Sequence, residues 1–203
     1  MQGGVRSRPP VVRGAARTPE ADVAELVAQA KLGDTAAFTY LYRRYVARVY
    51  DYAVWRLLDR HVAEEVTQEV FFRAFRGIAG CRDDTSFAGW LLGIARFVIA
   101  DQYRAAPPAT AALDASLEQE DPEPLPEDQV LQAERHNELR VAREHCLSPS
   151  ERELFDLLLA DLTDREIAVA LGRRYGAVRT AHWRLVSKLR VCFAHLRGRY
   201  VAS

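Results

Sequence analysis

Residues 105–128 divide this chain. They hold Pro107, Pro108, Pro122, Pro124 and Pro126 among alanines. They also carry the acids Asp114, Glu118, Glu120, Asp121, Glu123, Glu127 and Asp128, and no base. Proline removes backbone donors and stops helices, and the stretch has no apolar period with which to bury a core. It reads as a flexible acidic linker. The rest of the 203 residues leaves room for two small domains. The expected fold is all-α: an N-terminal helical bundle over residues 21–104 and a C-terminal helix-turn-helix domain over 129–199. A basic extension, residues 1–20, precedes them and is expected to be disordered.

On both sides of the linker the apolar residues recur with helical period, and no convincing strand alternation appears. Phe38, Leu41, Tyr42, Tyr45, Val49 and Tyr52 form one stripe, with Asp34 as its N-cap. Val62, Val66, Val70 and Ala74 form a second, beginning after Asp59. Phe87, Leu91, Ile94 and Val98 form a third, capped by Ser86, and a shorter helix covers about Ala21–Lys31. Beyond the linker, Ser148-Pro-Ser-Glu151 has the spacing of a capping box with proline at the first helical position. Thr163-Asp-Arg-Glu166 repeats that spacing, and Gly172 stands where a glycine ends a helix. The last helix, from about Tyr175, turns Val178, Leu185, Leu189 and Leu196 inward.

Formal net charge is zero, which argues against a uniformly basic nucleic-acid coat. The charge is segregated, however. From Leu162 to Ser203 there are nine Arg or Lys against Asp164 and Glu166. No apolar run approaches a membrane span and no signal peptide is evident, so a cytoplasmic location without membrane insertion is expected. Cys81, Cys146 and Cys192 are far apart and lack ligand spacing; they read as buried or idle thiols rather than a metal site or disulfide. No phosphate loop, nucleophile elbow or metal-ligand cluster is visible. The chain is read as no enzyme, with no cofactor and no metal.

Three constellations stand out. Arg179, Thr180, Trp183 and Arg184 share the outer face at the start of the last helix, where a recognition helix meets base edges and its positive dipole end faces phosphate. The plain alternative is a solvated Arg face, which leaves an exposed Trp without a partner. In the second stripe, Glu65, Glu69 and Arg73 fall at i, i+4 and i+8 with Gln68 and Phe72 beside them. This is either a salt-bridged solvent stripe or a docking face for a helical partner. In the third, Trp90 and Phe97 are one heptad apart and flanked by Arg96 and Arg104. They suit stacking on unpaired bases, or a second packing face, the reading that spacing favours for Trp90.

Taken in order, Ala63-Glu-Glu-Val-Thr-Gln-Glu-Val-Phe71, Phe87-Ala-Gly-Trp-Leu-Leu-Gly-Ile-Ala-Arg96, Leu147-Ser-Pro-Ser-Glu-Arg-Glu153 and the helix-turn-helix resemble the extracytoplasmic-function (ECF) sigma factors of bacterial RNA polymerase. That group keeps only regions two and four of the sigma-70 superfamily. The resemblance implies a subunit that binds core polymerase, reads the −35 and −10 elements and melts the −10 region. It implies that Glu65, Gln68, Glu69, Phe72 and Arg73 contact polymerase. Arg82, Asp83, Thr85, Ser86, Trp90, Arg96, Phe97 and Arg104 would then serve the −10 element. Arg173, Arg174, Arg179, Thr180, Trp183 and Arg184 would face the −35 duplex. The implied partners are the clamp helices and flap of core RNA polymerase, promoter DNA as duplex and melted single strand, and a possible anti-sigma factor. The acidic linker would thread toward the RNA exit path. A stand-alone helix-turn-helix regulator of the LuxR type is the alternative that the C-terminal segment leaves open.

The sequence departs from the family in three places. Phe97 stands where Asn is common, Arg173 where the turn residue is usually apolar, and Arg174 where Ser or Thr usually caps the recognition helix. The two arginines are expected to act as extra phosphate contacts.

Overall fold

The computed structural model describes residues 19–105 and 127–200. Residues 1–18 of the expected N-terminal extension and nearly all of the acidic linker lie outside them, while Pro19 and Glu20, expected to be disordered, open the first helix. Among the described residues eight α-helices run in order: α1 Pro19–Lys31, α2 Thr35–Leu57, α3 Arg60–Gly77, α4 Phe87–Ala105, α5 Glu127–Cys146, α6 Pro149–Leu159, α7 Asp164–Leu171 and α8 Tyr175–Tyr200. Two single turns of 3₁₀ helix, Ile78–Gly80 and Asp84–Ser86, bridge α3 to α4. Among the described residues there is no strand. The all-α class and the two helical halves follow the sequence reading.

Local chemistry sets most helix starts. The Asp34 carboxylate accepts from the amides of Ala36 and Ala37, at 2.8 and 3.2 Å. Asp59 accepts from Val62 at 3.0 Å. The orphan donors of a first helical turn are thereby satisfied. Ser148 and Glu151, and Thr163 and Glu166, close reciprocal capping boxes. Ser86 does not cap α4 as expected: Asp83, three residues earlier, takes both the Ser86 hydroxyl and the Thr85 amide, at 3.0 and 3.1 Å. The Ser86 hydroxyl is thereby turned back to an ionised carboxylate inside the preceding 3₁₀ turn.

The first stripe buries Leu41, Tyr45, Val49 and Tyr52 on α2, while Tyr42 stays at the rim against Phe71. Val66 and Val70 of α3 and Phe87, Leu91 and Ile99 of α4 complete the N-terminal core. That core does not stop at the linker. Leu157, Ile167, Val178 and Leu185 of the C-terminal half belong to the same continuous apolar cluster. The halves meet chiefly along α4 and α7, with α2 against α6 beside them.

The cysteines correct the sequence reading. Cys146 at the end of α5 and Cys192 on α8 are joined as a disulfide, with Cα atoms 6.4 Å apart. That separation lies inside the range a disulfide spans. Cys81 is the idle thiol expected: it is buried, and burial pushes its thiol up to about 11.

Candidate nucleic-acid interface

The helix-turn-helix is α7, a turn at Gly172 and α8. Gly172 has φ +61°, a left-handed conformation open to glycine without penalty, and ends α7. The chain reverses there as the Arg173 amide donates to the Ala168 carbonyl at 2.9 Å. Arg174 then precedes α8, and its carbonyl accepts from Ala177 and Val178. Its side chain carries no acceptor, so it cannot cap α8 as a Ser or Thr would, a loss of about 1 kcal/mol.

All six residues assigned to the −35 side are exposed on this unit: Arg173, Arg174, Arg179, Thr180, Trp183 and Arg184. Trp183 is 72% exposed. The Thr180 hydroxyl donates to the Gly176 carbonyl at 3.0 Å, leaving its lone pairs outward. Two side-chain contacts tie α8 to α7 and α6. His182 Nδ1 lies 2.6 Å from Asp164 of α7, and Lys188 donates to Glu151 of α6 at 2.7 Å. The Lys188 hydrogen bond, with the Ser148 amide, lowers the Glu151 carboxyl to about 2.

The −10 set is divided. Arg82, Thr85, Phe97 and Arg104 are exposed, and Phe97 stands 63% in solvent with the Arg96 guanidinium 5.8 Å from its ring centre. Asp83 is held by Thr85 and Ser86, whose hydrogen bonds lower its carboxyl below the usual range. Ser86 is buried, so its proposed contact with DNA is not available in this conformation. Trp90 is half-buried with its ring 5.7 Å from Phe87, the packing role that spacing favoured. Arg96 is also engaged: it donates to the Ala170 carbonyl at 2.8 Å and pairs with Glu153 at 3.1 Å, both in the C-terminal half.

On α3 the polymerase set forms one outer face. Glu65, Gln68 and Phe72 are exposed. Arg73 donates to Glu69 at 2.6 Å, the i,i+4 pair expected, and also reaches Asp101 of α4 at 3.3 Å. Arg76 lies over the Phe72 ring, and Phe75 is half exposed beside it. Phe75 also meets the Phe38 ring of α2 edge-on, with ring centres 5.0 Å apart.

The joint between the halves was not read from the sequence. Asp156 of α6 has no exposed side-chain surface and gathers Trp55, Arg56 and Arg143. The Trp55 indole donates to it at 2.8 Å, Arg56 pairs at 3.2 Å, and Arg143 grips both oxygens at 2.7 and 2.9 Å. An acid among leucines in Leu154-Phe-Asp-Leu-Leu-Leu159 was the available signal. A cleft of about 570 Å³ opens beside this joint between Trp55, Leu58, His136, Leu139 and Leu159. Among the described residues no acid, His or Cys cluster could hold a metal, and no helix is long and apolar enough to cross a membrane.

Comparison with known proteins bears on the family and the fold. Residues 41–107 match the Sigma-70 region 2 family. The chain is 33% identical over 180 residues to the ECF RNA polymerase sigma factor BldN of Streptomyces coelicolor, covering 87% of this chain and 68% of the relative. It is 24% identical over 158 residues to the ECF RNA polymerase sigma factor SigX of Bacillus subtilis, covering 75% and 81%. The solved structure of CnrH in complex with the cytosolic domain of CnrY shares the fold, with a TM-score of 0.61 at 21% identity over 86% of this chain and 98% of that one. The chain belongs to the ECF family of RNA polymerase sigma factors.

Proposed function

We propose that this sigma factor reads a bipartite promoter. In this reading the N-terminal half docks on the clamp helices of core polymerase through Glu65, Gln68, Glu69, Phe72 and Arg73. The −35 duplex is taken in the major groove by Arg179, Thr180, Trp183 and Arg184, with Arg173 and Arg174 on flanking phosphates. Arg82, Thr85, Phe97 and Arg104 hold the melted −10 strand, and strand separation is driven by binding energy. The C-terminal half sits on the flap, and a family anti-sigma factor is a further partner. The domain limits 21–104 and 129–199 are part of the same proposal.

The observation that carries it is the exposed face of α8. A tryptophan and two arginines stand in solvent at the N-terminal end of a recognition helix, where the dipole is positive. The test adds the purified chain to core RNA polymerase and scores specific initiation on a genomic promoter pool. Initiation at sites sharing −35 and −10 elements is expected. Absence of core binding, with tight duplex binding by the chain alone, would overturn the reading in favour of a stand-alone regulator.

A further inference from the structure

His182 borders the exposed face of α8. At about 100° per residue it lies about 60° round the helix from Arg179 and about 40° from Val178. One neighbour is exposed and the other buried. Its Nδ1 lies 2.6 Å from the carboxylate of Asp164, the first residue of α7. An ionised carboxylate only accepts, so Nδ1 carries a proton. Nε2, at the other end of the ring, has no partner in the fold. Among the described residues Arg96 Nε is the one buried side-chain nitrogen or oxygen without a partner, so Nε2 opens to solvent. The ring is held at one end and presented at the other.

In a helix-turn-helix the second helix enters the major groove while the first crosses the backbone. The seam between α8 and the start of α7 is therefore where a phosphate strand passes, and His182 and Asp164 form that seam. With the Nδ1 proton committed to Asp164, a neutral ring shows a phosphate only a lone pair at Nε2. A protonated ring shows it an N–H donor and a positive charge. We propose that His182 is a phosphate contact that works only when protonated, so that capture of the −35 duplex takes up one proton. This rests on the −35 reading of α8. Of the acids on the helices packed against α8, Asp164 is in contact with the ring. Glu166 of α7 is turned to Thr163. Glu151 of α6 is paired with Lys188, about 9 Å further along α8. The α5 helix crosses α8 at Cys192, about 15 Å along. Arg165 of α7 reaches Asp83, and Arg179 and Arg184 of α8 are exposed on either side of the ring.

The test measures promoter affinity of the reconstituted holoenzyme between about pH 6 and 8, where a histidine changes charge. The promoter is one selected from the genomic pool, and the chains are parent, His182→Gln and Asp164→Asn. Glutamine cannot take the proton. As pH rises across the window, the parent should lose about tenfold more affinity than His182→Gln. At the acid end His182→Gln should also lower the salt slope of binding by about one, and at the alkaline end it should not. Asp164→Asn covers the case where His182→Gln fails to fold. Its amide can donate to Nδ1, which moves the ring proton to Nε2 and gives the neutral ring a donor. That variant should gain affinity at the alkaline end. A ring that merely ties α7 to α8 predicts the opposite: either change weakens binding alike at every pH. Urea midpoints at both ends of the window separate loss of fold from loss of contact. Equal pH responses of parent and His182→Gln, or a folded Asp164→Asn weaker than parent at the alkaline end, overturns the histidine contact alone. A parent that binds core polymerase and selects no promoter overturns the −35 reading and this contact with it.

Discussion

In the proposed promoter reading, single side chains decide how α8 meets DNA. Arg179 is exposed and takes part in no fold contact described above, so Arg179→Ala should weaken −35 binding about tenfold or more while core binding holds. That is the low part of the roughly 1–3 kcal/mol carried by a bidentate guanine contact. Arg173→Ala and Arg174→Ala act differently. Each should lower the salt slope of −35 binding by about one and weaken all sequences alike, as loss of a phosphate contact does. Unchanged slopes would show that the two arginines are idle. Glu151 gives a pH signature. Its carboxyl is lowered from 4.5 to about 2 in the folded chain, so its stabilisation is present above pH 4.5 and fades as pH falls toward 2. Glu151→Gln should flatten that limb of an acid titration followed by circular dichroism. The Glu151 cap was legible because its signal is local: a capping box is four residues wide, Ser148 to Glu151. Ser86 was misread because its hydroxyl turns back to Asp83 within a 3₁₀ turn that helical periodicity does not show.

At the scale of helices the sequence told less. Periodicity placed α2, α3 and α4 and the turn at Gly172, because a helix face repeats every few residues. It did not pair Cys146 with Cys192, which are 46 residues apart and brought together only by the crossing of α5 and α8. The bond encloses α6, α7 and the first part of α8. Closing a loop of that length removes unfolded-state entropy worth about 4 kcal/mol in the chain-entropy account. Reductant should lower the urea midpoint of the parent and leave Cys192→Ser untouched. A parent indifferent to reductant would mean that the two sulfurs stand as free thiols. In a reducing compartment the staple opens, so the same stretch is looser there.

For the whole molecule the acidic stretch marked off two small helical domains, and among the described residues their apolar cores run together. A contact between distant helices leaves no periodic trace. Gly89 and Gly93 of α4, where an added Cβ would meet Glu166 and Ala170 of α7, and Asp156 were its sequence marks, each legible only with the partner helix in place. Asp156 makes the dependence measurable. Asp156→Ala would leave Arg56 and Arg143, both mostly buried, facing each other without their anion. A loss of about 3–5 kcal/mol is expected by urea unfolding, with Asp156→Asn losing less because the amide oxygen still accepts. Equal stability of parent and Asp156→Ala would mean that the joint adds nothing to the fold.

The placement of the three tryptophans has a practical consequence. Trp183 stands in solvent on the outer face of α8, Trp55 lies at the joint with its indole on Asp156, and Trp90 rests against Phe87. Their emission maxima should separate by polarity, with Trp183 the reddest. Duplex −35 DNA should quench the red component, and loosening the joint should shift the emission of Trp55 alone. Replacing one tryptophan at a time by phenylalanine would turn the unlabelled protein into its own optical meter, reading promoter capture on one channel and separation of the halves on another.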